Sequence, residues 1–379
     1  MRVSAERVLA QEKSAYPRVE PPCPYFGTCG GCALQDVAYE DQLRLKGARI
    51  RRALAALGEV PAFEIIGLEE PWRYRNKTEL TFGQSNGTLI LGYHAARSFW
   101  RVVDLEDCLL LPEPVMRVAR EARALASSTG LPAYQPKTHQ GFFRYLILRS
   151  SRVTEKVMAC FITTSQEASG GSGARGVMDK VAEELRARQP IVSSVYWGMT
   201  NRLADVALPE ELTRLSGDAY LDDQLGPFRL RLHPLSFLQP CSVQADRMYA
   251  LLSRTLGQRR AAIAWDLYCG IGLISFYLSA HVQKIYGIDL EPRHLELAAL
   301  NASLNGIANV EFRLGSVETL LLDRRFWLQQ AKPDVIVVDP PRAGLHPDVC
   351  ASLLAARPSR IAYVSCNAQS LARDLQVLL

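Results

Sequence analysis

No apolar run in this chain approaches the length needed to cross a bilayer, and Met1-Arg-Val-Ser-Ala-Glu6 lacks the basic-then-apolar layout of a secretory leader. A membrane or secreted protein is therefore not expected, and the cytoplasm is the expected compartment. Charge of either sign is in little excess: the net charge is +5 over 379 residues. That small sum hides an uneven spread. Residues 1–114 carry 14 basic against 15 acidic side chains and residues 261–379 carry 10 against 11, whereas residues 115–260 carry 20 against 13. A localised basic excess suits a phosphate backbone, because each neutralised phosphate releases counterions; by itself it suits a solvated face equally well. Nine cysteines in a chain expected to be cytosolic point to metal binding or catalysis before disulfides.

The pattern of residues changes twice along the chain. Residues 1–22, polar and Pro-rich near their end, read as a tail or the remnant of something longer. Gln35 to Leu57 reads as an amphipathic helix with Leu43, Ile50, Leu54 and Leu57 on one stripe and Gly58 as its stop, expected to pack against a neighbouring domain. From Tyr74 to Leu232 short β-rich runs alternate with turn signals such as Ser85-Asn-Gly87, which predicts a mainly antiparallel sheet. After Pro240, strand and helix patterns alternate, which predicts a parallel sheet with helices on both faces. Its strands are placed at 263–267, 284–288, 310–313, 335–338 and 361–365, and ligands of such sheets sit at the carboxyl ends of the strands.

Four motifs fall at those ends. Gly270 and Gly272 follow the first strand and let backbone approach a ligand where a Cβ would clash. Asp289, seventeen residues beyond Gly272, ends the second strand and suits ribose hydroxyls. A third glycine is lacking, since position 275 is Ser, and this tilts the reading from a dinucleotide toward S-adenosylmethionine. In Asp339-Pro-Pro-Arg342 two prolines fix the backbone just after a buried strand and hold Asp339 in one orientation, where it can accept from the imide N–H of uracil. Cys366 ends the last strand ahead of a helix beginning near Gln369, a position that combines access with a helix N-terminus favouring an anionic sulfur.

Cys23, Cys29 and Cys32, spaced by glycines and a proline, suit a tight loop around a thiolate-ligated centre, with Cys108 as the candidate fourth ligand. Zinc accepts four thiolates too, but its usual sites pair two Cys-x-x-Cys hooks and this stretch has one. Cys160, Cys241, Cys269 and Cys350 are assigned to packing.

Together with Arg75-Asn-Lys77, Leu91-Gly-Tyr93, Arg144-Tyr-Leu-Ile-Leu-Arg149, Ser236-Phe-Leu-Gln239, Asn301-Ala302, Asn305-Gly306 and Asn309, these motifs resemble the RNA (uracil-5-)-methyltransferase family, and more closely its iron-sulfur branch acting on 23S ribosomal RNA. The resemblance runs from Cys23 to Leu379. It implies an α/β fold: a Rossmann-like methyltransferase sheet, here truncated, joined to a mainly antiparallel β domain that carries the Cys-rich loop. The implied division puts the iron-sulfur loop and RNA-binding domain in 1–34 and 68–230, and the methyltransferase domain in 35–67 and 231–379. It further implies a 4Fe-4S cluster on Cys23, Cys29, Cys32 and Cys108. S-adenosylmethionine contacts are implied at Gln239, Tyr268, Gly270, Gly272, Asp289, Ser316 and Asp339. Cys366 becomes the nucleophile, and Asp339 touches both cofactor and uracil. The implied partner is RNA, with no membrane, and a monomer is expected.

The chain departs from the family in carrying Asp289 where Glu is usual, Leu273 for a small or amide residue, and Pro240-Cys241 for Val-Asn. The family's proton-abstracting Glu lies beyond Leu379, so no base is assigned, and five strands replace an expected seven. Three other readings compete: a transfer RNA 5-methyluridine methyltransferase, an RNA-binding iron-sulfur protein without turnover, and an amino-methyltransferase with a Pro-Pro motif.

Overall fold

Lys13 and Asp36 form an ion pair at 2.6 Å that ties the N-terminal stretch, expected as a tail, to the body of the protein. The computed structural model describes residues 2–165, 173–259, 261–323 and 332–379. Its first element is a helix, Arg2–Lys13 (α1), whose Glu12 accepts from Arg49 and Arg52 of the second helix, Tyr39–Leu54 (α2). That helix starts four residues later than the sequence pattern suggests, because Asp36 and Val37 are taken up by pairing with Arg18 and Val19. It ends in a short 3₁₀ turn, Ala55–Leu57, closed by Gly58 at φ 94°. The predicted stripe is half-buried, and Leu45 is the side chain most deeply covered on this helix.

A seven-stranded sheet follows, formed by Lys77–Ser85 (β1), Thr88–His94 (β2), Val102–Asp104 (β3), Phe143–Ser150 (β4), Val157–Thr163 (β5), Val192–Met199 (β6) and Glu211–Gly217 (β7). The spatial order is β3-β2-β1-β4-β5-β6-β7. All neighbours are antiparallel except β5 and β6, so the sheet is mainly antiparallel as expected; those two run parallel because the chain between them returns through a helix, Gly173–Arg188 (α4). Alternation decides which face each side chain meets: Leu80 and Phe82 of β1 join Leu146 and Phe161 under α4 and the helix Glu113–Ser128 (α3). Residues of opposite parity, such as Tyr145, Ile147, Met158 and Cys160, form a second core with the C-terminal part of the chain. The hairpin Leu221–Leu225 (β8) and Phe228–Leu232 (β9) stands apart from the large sheet and leans on the C-terminal unit, with the N–H of Arg231 donating to Asn301 Oδ1 at 2.8 Å.

The C-terminal unit opens with Ser242–Gly257 (α5) and continues as Ala261–Leu267 (β10), Leu273–Leu278 (α6), Val282–Asp289 (β11), Pro292–Leu304 (α7), Val310–Leu314 (β12), Val317–Leu322 (α8), Val335–Val338 (β13), Pro347–Ala356 (α9), Arg360–Tyr363 (β14) and Ala368–Leu378 (α10). Its five strands are parallel in the order β12-β11-β10-β13-β14, so the direction of winding reverses between β10 and β13 and opens a crevice at their carboxyl ends. The last strand stops at Tyr363, two residues before its expected end, and Ser365 and Cys366 lie in the loop beyond it. α10 packs on α2, which places the N-terminal amphipathic helix against the C-terminal unit. Among the described residues no helix is long and apolar enough to cross a membrane.

Candidate active site and cysteine cavity

The crevice is a cleft of about 450 Å³, lined by the loop after β10, the end of β11, the Asp339-Pro-Pro-Arg342 turn, Phe237 to Gln239, Tyr249 and Cys366. Four of the sequence motifs thus converge on one cavity.

The loop after β10 bends through Tyr268 at φ 64°, Gly270 at φ 55° and Gly272 at φ 85°. A Cβ on Gly272 would meet the Phe312 ring at 2.8 Å, whereas one on Gly270 would meet nothing within 4 Å, so the first need is packing and the second is free approach to the cleft. Asp266 anchors this loop from below: fully buried, it accepts from Ser275 N at 2.9 Å and Ser275 Oγ at 2.7 Å. Burial pushes its carboxyl up to about 7.

Asp289 closes the other side. Its carboxylate accepts from Gly270 N at 2.8 Å and Glu291 N at 2.9 Å, and lies 3.1 Å from His294 Nδ1. Burial pushes this carboxyl up, but the bonds from His294, Glu291 and Gly270 outweigh it and hold the group below its ordinary range. A fixed anion here can accept from a ribose diol. Tyr268 lines the cleft and donates to Glu318 Oε1 at 2.8 Å. Ser316 does not line the cleft; it caps α8 and donates to Glu318 Oε2 at 2.5 Å, reaching the site only through Glu318 and Tyr268.

Asp339 lines the crevice, its carboxyl pushed up to about 6 by burial. Among the described residues its carboxylate has no hydrogen-bond or ion-pair partner, so it is a free acceptor aimed by the two prolines that follow it. Cys366 is exposed and lines the same cleft. Its loop is held on both sides: Asn367 caps α10 by accepting from Gln369 N at 3.1 Å, and Asn367 Nδ2 donates to the carbonyl of Arg342 at 3.2 Å. Gln239 also lines the cleft, and Asn76 Nδ2 donates to its main-chain oxygen at 2.9 Å.

Sequence reasoning left several lining residues unassigned, Tyr249, His294 and Phe237 among them. Tyr249 lies on α5 and its phenol is pushed up by burial and by the charges of Asp339 and Asp266. His294 lies on α7, and nothing local marks either. Phe237 had a signal: an aromatic beside Gln239, here left 56% exposed.

The family model described as tRNA (Uracil-5-)-methyltransferase matches residues 224–379. An uncharacterized RNA methyltransferase of Oceanobacillus iheyensis is 34% identical over 376 residues, covering 98% of this chain and 79% of the relative. One from Halalkalibacterium halodurans is also 34% identical, covering 98% and 80%. The chain belongs to the RNA (uracil-5-)-methyltransferase family. A crystal structure of Pyrococcus abyssi tRNA (uracil-54, C5)-methyltransferase in complex with S-adenosyl-L-homocysteine superposes with a TM-score of 0.71 at 25% identity, covering 93% of this chain and 80% of that one. Within this methyltransferase family, the Rossmann-like parallel sheet beside a mixed central sheet is therefore the shared architecture.

Away from the cleft, Cys23, Cys29, Cys32 and Cys108 line one small cavity of about 30 Å³ together with Tyr25, Phe26 and Tyr93. Gly31 N donates to Cys29 Sγ at 3.4 Å, and a Cβ on Gly30 would strike the His94 carbonyl at 2.9 Å, so the two glycines let the loop close. Burial pushes the thiols of Cys29, Cys32 and Cys108 up, and the charges of neighbouring cysteines push each further. Among the described residues no group of three or more His, Cys, Asp or Glu side chains is arranged to hold a metal ion. Cys160 and Cys350 are buried, Cys241 is half-buried, and Cys269, assigned to packing, is buried yet lines the cleft.

Proposed function

We propose that this chain transfers a methyl group from S-adenosylmethionine to C5 of a uridine in 23S ribosomal RNA, through a covalent bond between Cys366 and C6 of the base. One observation carries the reading: Cys366 and the unpartnered Asp339 face the same cleft as Gly270 and Asp289. S-adenosylmethionine, when bound, supplies a methyl group on a sulfonium. Asp289 would hold its ribose, Gly270 would leave room for its backbone-close approach, and Gln239 and Tyr268 would bound its remaining surface. Ser316 would act from outside the lining, through Glu318.

Uracil C5 is a weak nucleophile. Addition of the Cys366 thiolate to C6 would place an electron pair on C5 and O4, and C5 would then take the methyl group with S-adenosyl-L-homocysteine as the leaving group. Asp339, as a carboxylate, would accept from uracil N3–H and orient the ring. The C5 proton must next leave to a base, after which the C5–C6 double bond reforms and the C6–S bond breaks. No lining residue is assigned as that base.

The four-cysteine cavity supports a 4Fe-4S cluster as a structural or RNA-contacting group. The thiols of Cys29, Cys32 and Cys108, whose ionisation burial and neighbouring sulfurs disfavour, would be relieved by binding iron. A transfer RNA uridine is the second reading, favoured by the likeness to the Pyrococcus abyssi enzyme. Chain incubated with labelled 23S and transfer RNA transcripts and S-adenosylmethionine tests both. Methyl incorporation into the 23S transcript alone supports the first, into transfer RNA alone the second, and into neither rejects the proposal. A Cys366→Ala variant that still methylates would remove the covalent route.

A further inference from the structure

A second cavity, of about 400 Å³, lies on the seven-stranded sheet and belongs to neither the cleft nor the cysteine loop. Its lining includes Trp100, Tyr134, Arg144, His94, Asp205 and Gly83. Strand register shows which face it occupies. Thr81 pairs with Tyr145, Gly83 with Ile90 and His94 with Val102, so these residues share a face. Tyr145 also belongs to the core shared with the C-terminal unit. The cavity is therefore the continuation, across β1, β2 and β3, of the sheet face that meets the methyltransferase unit.

Its chemistry is that of a planar, polar-edged ligand. The Arg144 guanidinium lies 4.1 Å from the Tyr134 ring centroid, and Lys137 Nζ lies 5.2 Å from that of Trp100. Arg144 is only 2% exposed and is locked by donating to the carbonyls of Arg202 at 2.7 Å and Ala204 at 3.3 Å. Trp100, by contrast, is 59% exposed, so its ring is open to a stacking partner at the rim of the cavity. Polar groups are held at fixed positions: Tyr145 Oη donates to Asp205 at 2.6 Å, and His94 Nε2 lies 3.2 Å from the other Asp205 oxygen. His94 Nδ1 is buried and has no hydrogen-bond partner. The volume suits one nucleoside.

We infer that this cavity receives an unstacked nucleobase of the RNA other than the one that is methylated, with Trp100 as the stacking surface and the His94–Asp205 pair as the polar edge. Single-stranded bases splayed from a loop are read in this way, on aromatic and guanidinium planes with hydrogen bonds to their edges. The inference rests on the chain's acting on RNA, not on which uridine is modified.

The test is filter binding of the full chain to the 23S and transfer RNA transcripts over a series of salt concentrations, alongside methylation kinetics. Trp100→Ala should raise Kd and the KM for RNA roughly tenfold while leaving kcat, cofactor affinity and the salt slope unchanged, since stacking releases no counterions. Trp100→Phe should restore most of the loss. Equal Kd for wild type and Trp100→Ala overturns the inference, as does a loss accompanied by a shallower salt slope, which would make the site a phosphate contact. Absence of methylation with the Kd effect intact would instead reject the proposed reaction and leave this site standing.

Discussion

Asn367 donates its side-chain amide to the carbonyl of Arg342 at 3.2 Å, joining the loop that carries Cys366 to the turn that carries Asp339. The same side chain caps α10. Asn367 is thus one of the ties, with Ser370 Oγ on the same Arg342 carbonyl at 3.4 Å, that hold the sulfur's loop against the carboxylate's turn.

Asn367→Ala should therefore cost more in rate than in stability. Loss of the cap and the cross-loop bond is worth about 1 to 2 kcal/mol to the local structure. Single-turnover methyl transfer should fall roughly tenfold or more, with cofactor affinity unchanged because the Gly270 and Asp289 side is untouched. An unchanged single-turnover rate would show that the tie has no bearing on the reaction.

Asp339 predicts opposite pH trends for activity and stability. Its carboxyl titrates at about 6 in the folded chain against an ordinary 3.8. The folded state thus binds more protons than the unfolded one between those values, and its contribution to stability declines as pH rises through that window. Activity should do the reverse, rising through about pH 6 as the carboxylate forms and gains its capacity to accept from an imide. In Asp339→Asn, kcat/KM should drop roughly 10- to 100-fold and that acid limb should vanish from the profile.

Asp266 gives a second pH signature that activity does not report. Burial pushes it from 3.8 up to about 7, so chemical denaturation should show stability falling as pH increases from about 4 to 7. Asp266→Asn should flatten that fall, since an amide can still accept from Ser275 but carries no buried charge. A wild-type curve flat over this range would contradict the assignment.

The two glycines of the cofactor loop should separate stability from affinity. Gly272→Ala places a Cβ 2.8 Å from the Phe312 ring at a positive φ, and should lower the unfolding free energy by about 1 to 3 kcal/mol. Gly270→Ala meets no protein atom and should cost about 1 kcal/mol, yet it puts a methyl group into the cleft. Calorimetry with S-adenosyl-L-homocysteine should show the larger affinity loss in Gly270→Ala and thermal melts the larger stability loss in Gly272→Ala.

For the cysteine cavity, anaerobically purified protein should carry iron and sulfide at about four each, and Cys108→Ser should lower both. Stoichiometric zinc in place of iron would refute the cluster.

Much of this protein was legible along the chain, because local chemistry is written locally. Period-two and helical patterns located every strand that was predicted, and Gly270, Asp289, Asp339 and Cys366 followed from their places at strand ends. A parallel sheet sends all its carboxyl ends to one side, so residues in sequence order at those ends must meet. Other features depended on surfaces that meet only after folding. Asp36 and Val37 read as the start of a helix until pairing with Arg18 and Val19 claimed them; Ser316 bonds to Glu318 outside the cleft lining; and β9 read as part of the large sheet until Asn301 and Asn305 took its backbone groups. Tyr249 and His294 came to the cleft from helices that nothing local marks, and the Trp100 cavity exists because seven strands of mixed connectivity put His94, Arg144 and Asp205 together. Spacing along a chain determines which face a side chain takes; which neighbour it finds there is decided by packing between segments far apart in sequence.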